Sequence, residues 1–304
     1  MRRREILSLP LLCVAGLGHR ASADAPPPTV VASFSILGDL VRELAGSAVR
    51  LRTLVGPDGD AHVYEPTPAD ARAVREAGLV VLNGLGFEGW LPRLLRAADF
   101  RGTTVIATDG LVPRRAGRGA DPHAWQDPQL YRTYVRNVLQ GLVQVAPAQA
   151  GEFRAAAARY LQRLAALDAD LRARFAPLPP ERRRVITTHD AFAYFGAAYG
   201  LEFLPVQGWT TAEEPSAADV ARLVRTARTR GAAAAFVENV ADPRLVRALA
   251  ADTGLPFGGR LYSDALAPAG HPASTYLGML HHNATTLLAA LAPASLATAP
   301  ETVR

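Results

Sequence analysis

The chain contains no lysine, and all 33 of its basic residues are arginine. It has one cysteine, Cys13, and none beyond that position. This excludes a disulfide framework, a thiolate nucleophile and a cysteine-rich zinc site in the body of the chain. Metal chemistry would have to use histidine and carboxylate. After the first segment, no stretch reaches the roughly 18 uninterrupted apolar residues of a membrane-spanning helix. There is no HExxH and no GxSxG, which removes the common signatures of a zinc protease and of an α/β-hydrolase. No arginine run is interleaved with aromatics, so the expectation is no nucleic-acid partner.

What remains is ordinary for a globular chain. The 304 residues are 49% hydrophobic and 20% charged, enough for a sizeable core in one large domain or two. The formal charge is +5. Residues 1–23 carry four arginines (Arg2, Arg3, Arg4 and Arg20) against Glu5, so most of the excess sits there. That segment has a basic start, an apolar stretch Ile6–Leu17 and the small-residue run Ala21-Ser22-Ala23. It reads as a secretory signal peptide cut after Ala23, giving a periplasmic protein. Leu12 precedes Cys13 where a lipobox carries a small residue, so a free protein is expected rather than a lipoprotein.

Downstream, short β-branched runs alternate with helical patterns. Thr29–Ser33, Val49–Leu54, Leu79–Leu82 and Thr104–Ala107 read as strands, and Ile36–Ala45 (capped by Ser35) and Pro68–Ala77 as helices. Pro128–Val145 and Pro147–Phe175 are longer helical stretches. The second has Phe153, Tyr160, Leu164, Leu167 and Leu171 on one face, and Pro177 ends it. The rhythm then restarts. Strands are expected at Arg184–Thr188, Phe203–Val206, Ala233–Val237 and Phe257–Tyr262. Helices are expected at Ala191–Tyr199, Ser216–Arg230, Pro243–Thr253 and Pro272–Leu291. Arg182, Arg183 and Arg184 read as a solvated strand entrance. The fold class is therefore α/β, with two lobes of mainly parallel sheet flanked by helices and one long helix between them. The expected division is a leader at 1–23, a first lobe at 24–145, a linker helix at 146–177 and a second lobe at 178–304.

Six histidines lie outside the leader. His62 (GPDGDAHVYEPTP), His123 (DPHAWQDP) and His189 (VITTHDAF) fall in turn-like segments beside strands, as does Asp264 (LYSDAL). Open parallel sheets bind ligands at strand carboxyl ends. Three imidazoles and a carboxylate, two from each lobe, make a metal shell of the kind zinc takes. Four protein ligands would close that shell, which favours carriage over hydrolysis. His271, His281 and His282 are expected to be surface or hydrogen-bonded residues. His281 and His282 are neighbours on a helix, and their side chains diverge.

In order, GPDGDAHVYEPTPAD, NGLGFEGWLPRLL, DPHAWQDP, THDAFAYFG, EEPSAADVARLV, FVEN and YSDAL resemble the cluster A-I metal-binding receptors of ABC importers. The resemblance runs from about Val30 to Leu291. It implies two α/β lobes joined by one rigid helix and a single metal held between them by His62, His123, His189 and Asp264. It implies transport rather than enzymatic activity. The partners would be a membrane permease with its cytoplasmic ATPase, and a periplasmic metal donor; the receptor itself would be a monomer. Manganese receptors of this family tend to carry Glu at the third position, where this chain has His189. Nitrogen-rich sites suit zinc, so Zn2+ is the expected cargo, with Mn2+ the alternative. A secreted zinc hydrolase is the disfavoured reading from another class. Asp60, Glu65, Asp121, Asp127 and Glu238 are candidates for orienting the ligands, and Trp125 and Trp209 for shielding them. The segment LVPRRAGRGADPH lacks the acidic, histidine-rich loop of many zinc receptors.

Overall fold

The computed structural model describes residues 26–116, 119–212 and 216–292. The leader, with Cys13 and the expected cleavage position Ala23, lies outside them, as do Glu213, Glu214 and Pro215 of the EEPSAADVARLV motif.

Seven elements build the first lobe in βα order: β1 (Thr29–Phe34), α1 (Ser35–Ala45), β2 (Arg50–Val55), α2 (Pro68–Glu76), β3 (Leu79–Leu82), α3 (Leu91–Ala97) and β4 (Thr103–Ile106). The strands pair in parallel in the order β2-β1-β3-β4. From Val30 to Phe34, β1 is buried on both faces, which is why it reads as a continuous apolar run rather than an alternating one. A two-stranded antiparallel hairpin follows, β5 (Arg115–Ala116) and β6 (Gly119–Ala120), then α4 (Pro128–Val145). Asp127 caps α4 by accepting the Gln129 N–H, with Pro128 in the first turn. Gly141 lets α4 lie close on the sheet; a Cβ there would sit 2.5 Å from Val105 Cγ2.

The long helix is shorter than expected. Pro147–Gln149 forms a 3-10 turn, and α5 covers Ala150–Phe175, 26 residues. That is about 39 Å. It buries Phe153, Ala157, Tyr160, Leu164, Leu171 and Phe175 and packs on α1 and α4.

Beyond it lie β7 (Arg184–Thr187), α6 (Ala193–Tyr199), β8 (Glu202–Pro205), α7 (Ala217–Arg230), β9 (Ala234–Glu238), α8 (Arg244–Thr253), β10 (Phe257–Leu261) and α9 (Tyr276–Leu291). This second sheet is again parallel, in the order β10-β9-β7-β8. Both α6 and α9 pack on α5, so one apolar core runs from the first lobe through α5 into the second. A smaller core, including Ile186, Val237, Val246 and Leu249, lies beneath α8.

Two local expectations are corrected. Ser35 is the first residue of α1 and not its cap; its Oγ accepts the Leu266 N–H at 2.9 Å and ties the lobes together. Arg183 is not merely solvated. Its guanidinium donates to the carbonyls of Phe175, Ala176, Leu178, Tyr199 and Gly200, closing the carboxyl end of α5. Those carbonyls have no helical partner, and a cation is favoured there.

Candidate metal centre

Four loops converge where the lobes face each other. His62 lies between β2 and α2, and Trp90 steadies that loop by donating its Nε1–H to the Ala61 carbonyl at 2.7 Å. His123 follows the β5–β6 hairpin, not a strand of the main sheet, and precedes a 3-10 turn. His189 leaves the carboxyl end of β7, and Asp264 follows β10. In the second sheet β7 and β9 are neighbours whose connections run to opposite sides, which opens a crevice at their carboxyl ends.

The side chains meet around one carboxylate. Asp264 Oδ2 lies 3.2 Å from His62 Nε2 and 3.1 Å from His189 Nε2; Asp264 Oδ1 lies 3.6 Å from His123 Nε2. One potential ligand atom from each residue falls within 4.8 Å of all the others. His123, His189 and Asp264 are fully buried, and the His62 side chain is 2% exposed. His62 Nε2, His123 Nε2 and Asp264 Oδ1 make no hydrogen bond. Buried polar atoms of this kind need partners, and one cation placed among them could engage all of them.

The outer faces of two imidazoles are anchored. His123 Nδ1 lies 2.8 Å from Asp121 Oδ1, which also accepts the His123 backbone N–H at 3.0 Å. Glu238, at the end of β9, accepts the His189 backbone N–H and places Oε2 2.6 Å from His189 Nδ1. For His62 the anchor is at the backbone, where Asp60 Oδ1 accepts its N–H at 2.8 Å. The same Asp60 accepts the Thr211 hydroxyl of the other lobe at 2.6 Å.

Burial opposes charge in this cluster, and the facing groups overcome it. Desolvation acts to lower the His123 pKa, yet Asp264 and Asp121 raise it to about 9. Desolvation likewise works against charged His189, but Glu238 and Asp264 push it well above its ordinary value. Burial would raise Asp264; His189 and His123 instead hold its carboxyl well below the usual range. The carboxylates of the cluster thus hold protons on His123 and His189.

An aromatic wall encloses it. Phe87 stands edge-on to His62, with ring centroids 4.6 Å apart, and Trp125 lies 5.2 Å from His123. Phe87 is set by a turn in which buried Glu88 accepts from Ser33 Oγ and from the Asn83 and Gly84 N–H groups. Gly84 in that turn has φ +89°, a conformation that suits only glycine well. Trp125 also donates to the Ser263 carbonyl, beside Asp264.

The four residues singled out in the sequence are therefore together in space. Of the accessory carboxylates, Asp60, Asp121 and Glu238 touch them, whereas Asp127 is a helix cap and Glu65 is exposed. Trp209 is half-buried, 6.3 Å from the His62 ring. The roles of Phe87 and Glu88 were missed: an aromatic and a carboxylate in a glycine-rich turn carry no signal of what they will face.

Two α/β lobes with a polar cluster walled off between them define an architecture for enclosing a small solute. The chain belongs to the family described as zinc-uptake complex component A, periplasmic (ZnuA), whose model matches residues 30–290. It is 36% identical over 286 residues to the zinc-binding protein TroA of Treponema pallidum, covering 90% of this chain and 92% of that relative. It is 32% identical over 284 residues to the manganese-binding lipoprotein MntA of Halalkalibacterium halodurans, covering 92% and 95%. The solved structure of the periplasmic zinc-binding protein TroA superposes with a TM-score of 0.84 at 34% identity, covering 88% of this chain and 99% of that one.

Proposed function

We propose that this protein is the substrate-binding component of a metal ABC importer, and that it captures one Zn2+ with His62, His123, His189 and Asp264. The observation that carries this reading is the contact set at Asp264, with its oxygens 3.1, 3.2 and 3.6 Å from three imidazole nitrogens. Bonds of about 2.0–2.2 Å place tetrahedral zinc donors about 3.3–3.6 Å apart, close to the Asp264–imidazole distances, and donors that stand up to 4.8 Å apart would draw inward around the ion. Three nitrogens and one oxygen favour zinc over manganese on donor softness. With four protein donors, no position is kept for a hydrolytic water, so the reading is carriage and not catalysis. The relatives named for zinc and for manganese support a divalent cargo of this class.

Asp121 and Glu238 orient His123 and His189 and raise their basicity as ligands. Binding displaces the imidazole protons, and the dication takes over the interaction with Asp264. The leader is expected to export the chain, which meets its permease and ATPase partners from the outer side of the membrane.

The test is a competition. Metal-stripped protein is equilibrated with equimolar zinc and manganese, and the retained metal is counted by mass spectrometry. One zinc per chain is expected. Retained manganese would overturn the zinc assignment, and no retained metal would overturn the four-ligand site. In the same assay His123→Ala should weaken zinc by more than about 100-fold, because loss of outer partners alone costs about 10–100-fold. Its circular dichroism should be unchanged.

A further inference from the structure

A second pair of histidines comes together at the edge of the second lobe. His271 lies in the segment between β10 and α9, and His282 lies in α9, which packs on the edge strand β10. Their ring centroids are 5.2 Å apart at 65°. In the four-residue cluster the histidine pairs stand 5.4–6.0 Å apart at 61–89°, so this pair repeats that geometry. Both residues are half-exposed.

Both rings have hydrogen-bonding neighbours. The Ala273 N–H donates to His271 Nδ1 at 3.1 Å, and the Tyr262 hydroxyl lies 3.5 Å from His271 Nε2. The Nε2 of His282 has Thr286 Oγ1 at 3.5 Å. Asn283, next to His282 on α9, grips Tyr262 from both ends. It accepts the Tyr262 N–H at 2.9 Å and donates to the Tyr262 carbonyl at 2.7 Å. The helix, the strand and the pair are thereby fixed relative to one another. Burial, and then the neighbouring His271, lower the His282 pKa, so this imidazole is unprotonated and able to ligate at neutral pH.

We propose that His271 and His282, with the hydroxyls of Tyr262 and Thr286 beside them, form a second site for a divalent transition cation that favours imidazole, such as zinc. With two nitrogen donors and exposure to solvent, it binds more weakly than the enclosed cluster, and water completes its shell. The segment that carries Tyr262 and His271 also carries Asp264, so a cation here sits on the same stretch of chain as the enclosed carboxylate. The sequence concealed the pair because the eleven-residue separation runs from a loop into a helix. The visible neighbour pair, His281 and His282, points in diverging directions.

The test is a zinc titration of the metal-stripped full chain by calorimetry. The expected result is two equivalents, the second weaker. His271→Ala and His282→Ala should each weaken that second equivalent by more than about tenfold. The double variant should bind one zinc with unchanged circular dichroism, and His281→Ala should retain two. A single equivalent in the unaltered protein, two in the double variant, or loss of the second on His281→Ala alone would overturn the proposal. The tight equivalent reports separately on the enclosed cluster: its absence would sink the four-ligand reading, while a weak equivalent that depends on His271 and His282 would stand.

Discussion

Glu238 holds His189 at two points, accepting its backbone N–H at 2.8 Å with Oε1 and approaching its Nδ1 to 2.6 Å with Oε2. Both contacts follow from β7 and β9 being neighbours in the second sheet, so that the residues leaving their carboxyl ends meet. The carboxylate sets the ring orientation that presents His189 Nε2 to Asp264. Glu238→Gln keeps an oxygen for the backbone N–H but removes the charge facing the ring. Zinc affinity should fall about 10–100-fold. Calorimetric titration with a competing chelator measures this, and an unchanged affinity would show that the contact is structural only.

His189 is also the donor that distinguishes a nitrogen-rich cluster from an oxygen-rich one. Its replacement by glutamate gives two imidazoles and two carboxylates, a harder set. His189→Glu should therefore move the equimolar competition from zinc toward manganese. The variant brings a carboxylate close to Glu238 and Asp264, so its metal-free form should melt at a lower temperature than the unaltered protein. A variant that still excludes manganese would mean that geometry, and not donor type, sets the preference.

Most of the architecture was legible because it rests on local signals. The continuous apolar run of β1, the Pro128 start of α4 and the restart of the βα rhythm after Pro177 each reflect a physical rule confined to a few residues. His62, His189 and Asp264 were legible because parallel strands deliver their following residues to one edge, whereas His123 arrives from a hairpin and was legible only from its Pro-bounded motif. What the sequence concealed depends on partners distant in the chain. Arg183 looked like part of a solvated run, but its value lies in carbonyls from α5 and from the end of α6. Ser35 looked like a cap, but its acceptor capacity is used by Leu266, in the other lobe. The first turn of the long helix was misjudged because Pro147 is compatible with either a 3-10 or an α start.

The proton occupancy of the cluster predicts opposite pH responses for stability and binding. The folded His123 pKa is raised to about 9, and that of His189 is also raised. The His123 contribution to stability is fully present below the unfolded value of about 6.5 and is lost as pH rises through about 9, and that of His189 is lost as pH rises through its own raised value. Asp264 is depressed, so its contribution persists above about 3.8 and is lost only as pH falls through its lowered value. Metal-free protein should therefore melt at a lower temperature at pH 9 than at pH 6.5. Zinc affinity should rise over the same interval, by up to about tenfold per pH unit for each proton displaced. Melting curves with and without zinc across this range should converge at low pH and diverge at high pH. Parallel curves would contradict the displacement of protons by metal.

Thr211 supplies a latch between the lobes. Its hydroxyl donates to Asp60 Oδ2 at 2.6 Å, while Asp60 Oδ1 accepts the N–H of His62. One carboxylate thus joins the second lobe to the loop that carries a ligand of the first. On the proposed function, separation of the lobes to release the metal would break the Thr211 contact, which involves none of the four candidate ligand side chains. Thr211→Val keeps the shape and removes the donor. A hydrogen bond to a charged group is worth about 1.5–3 kcal/mol, so zinc release should accelerate by about 10-fold or more. Stopped-flow transfer of zinc to a chelator would measure that rate. Unchanged release would place the limiting step at the metal–ligand bonds, and a matching fall in the association rate would show that the contact forms before the metal is captured.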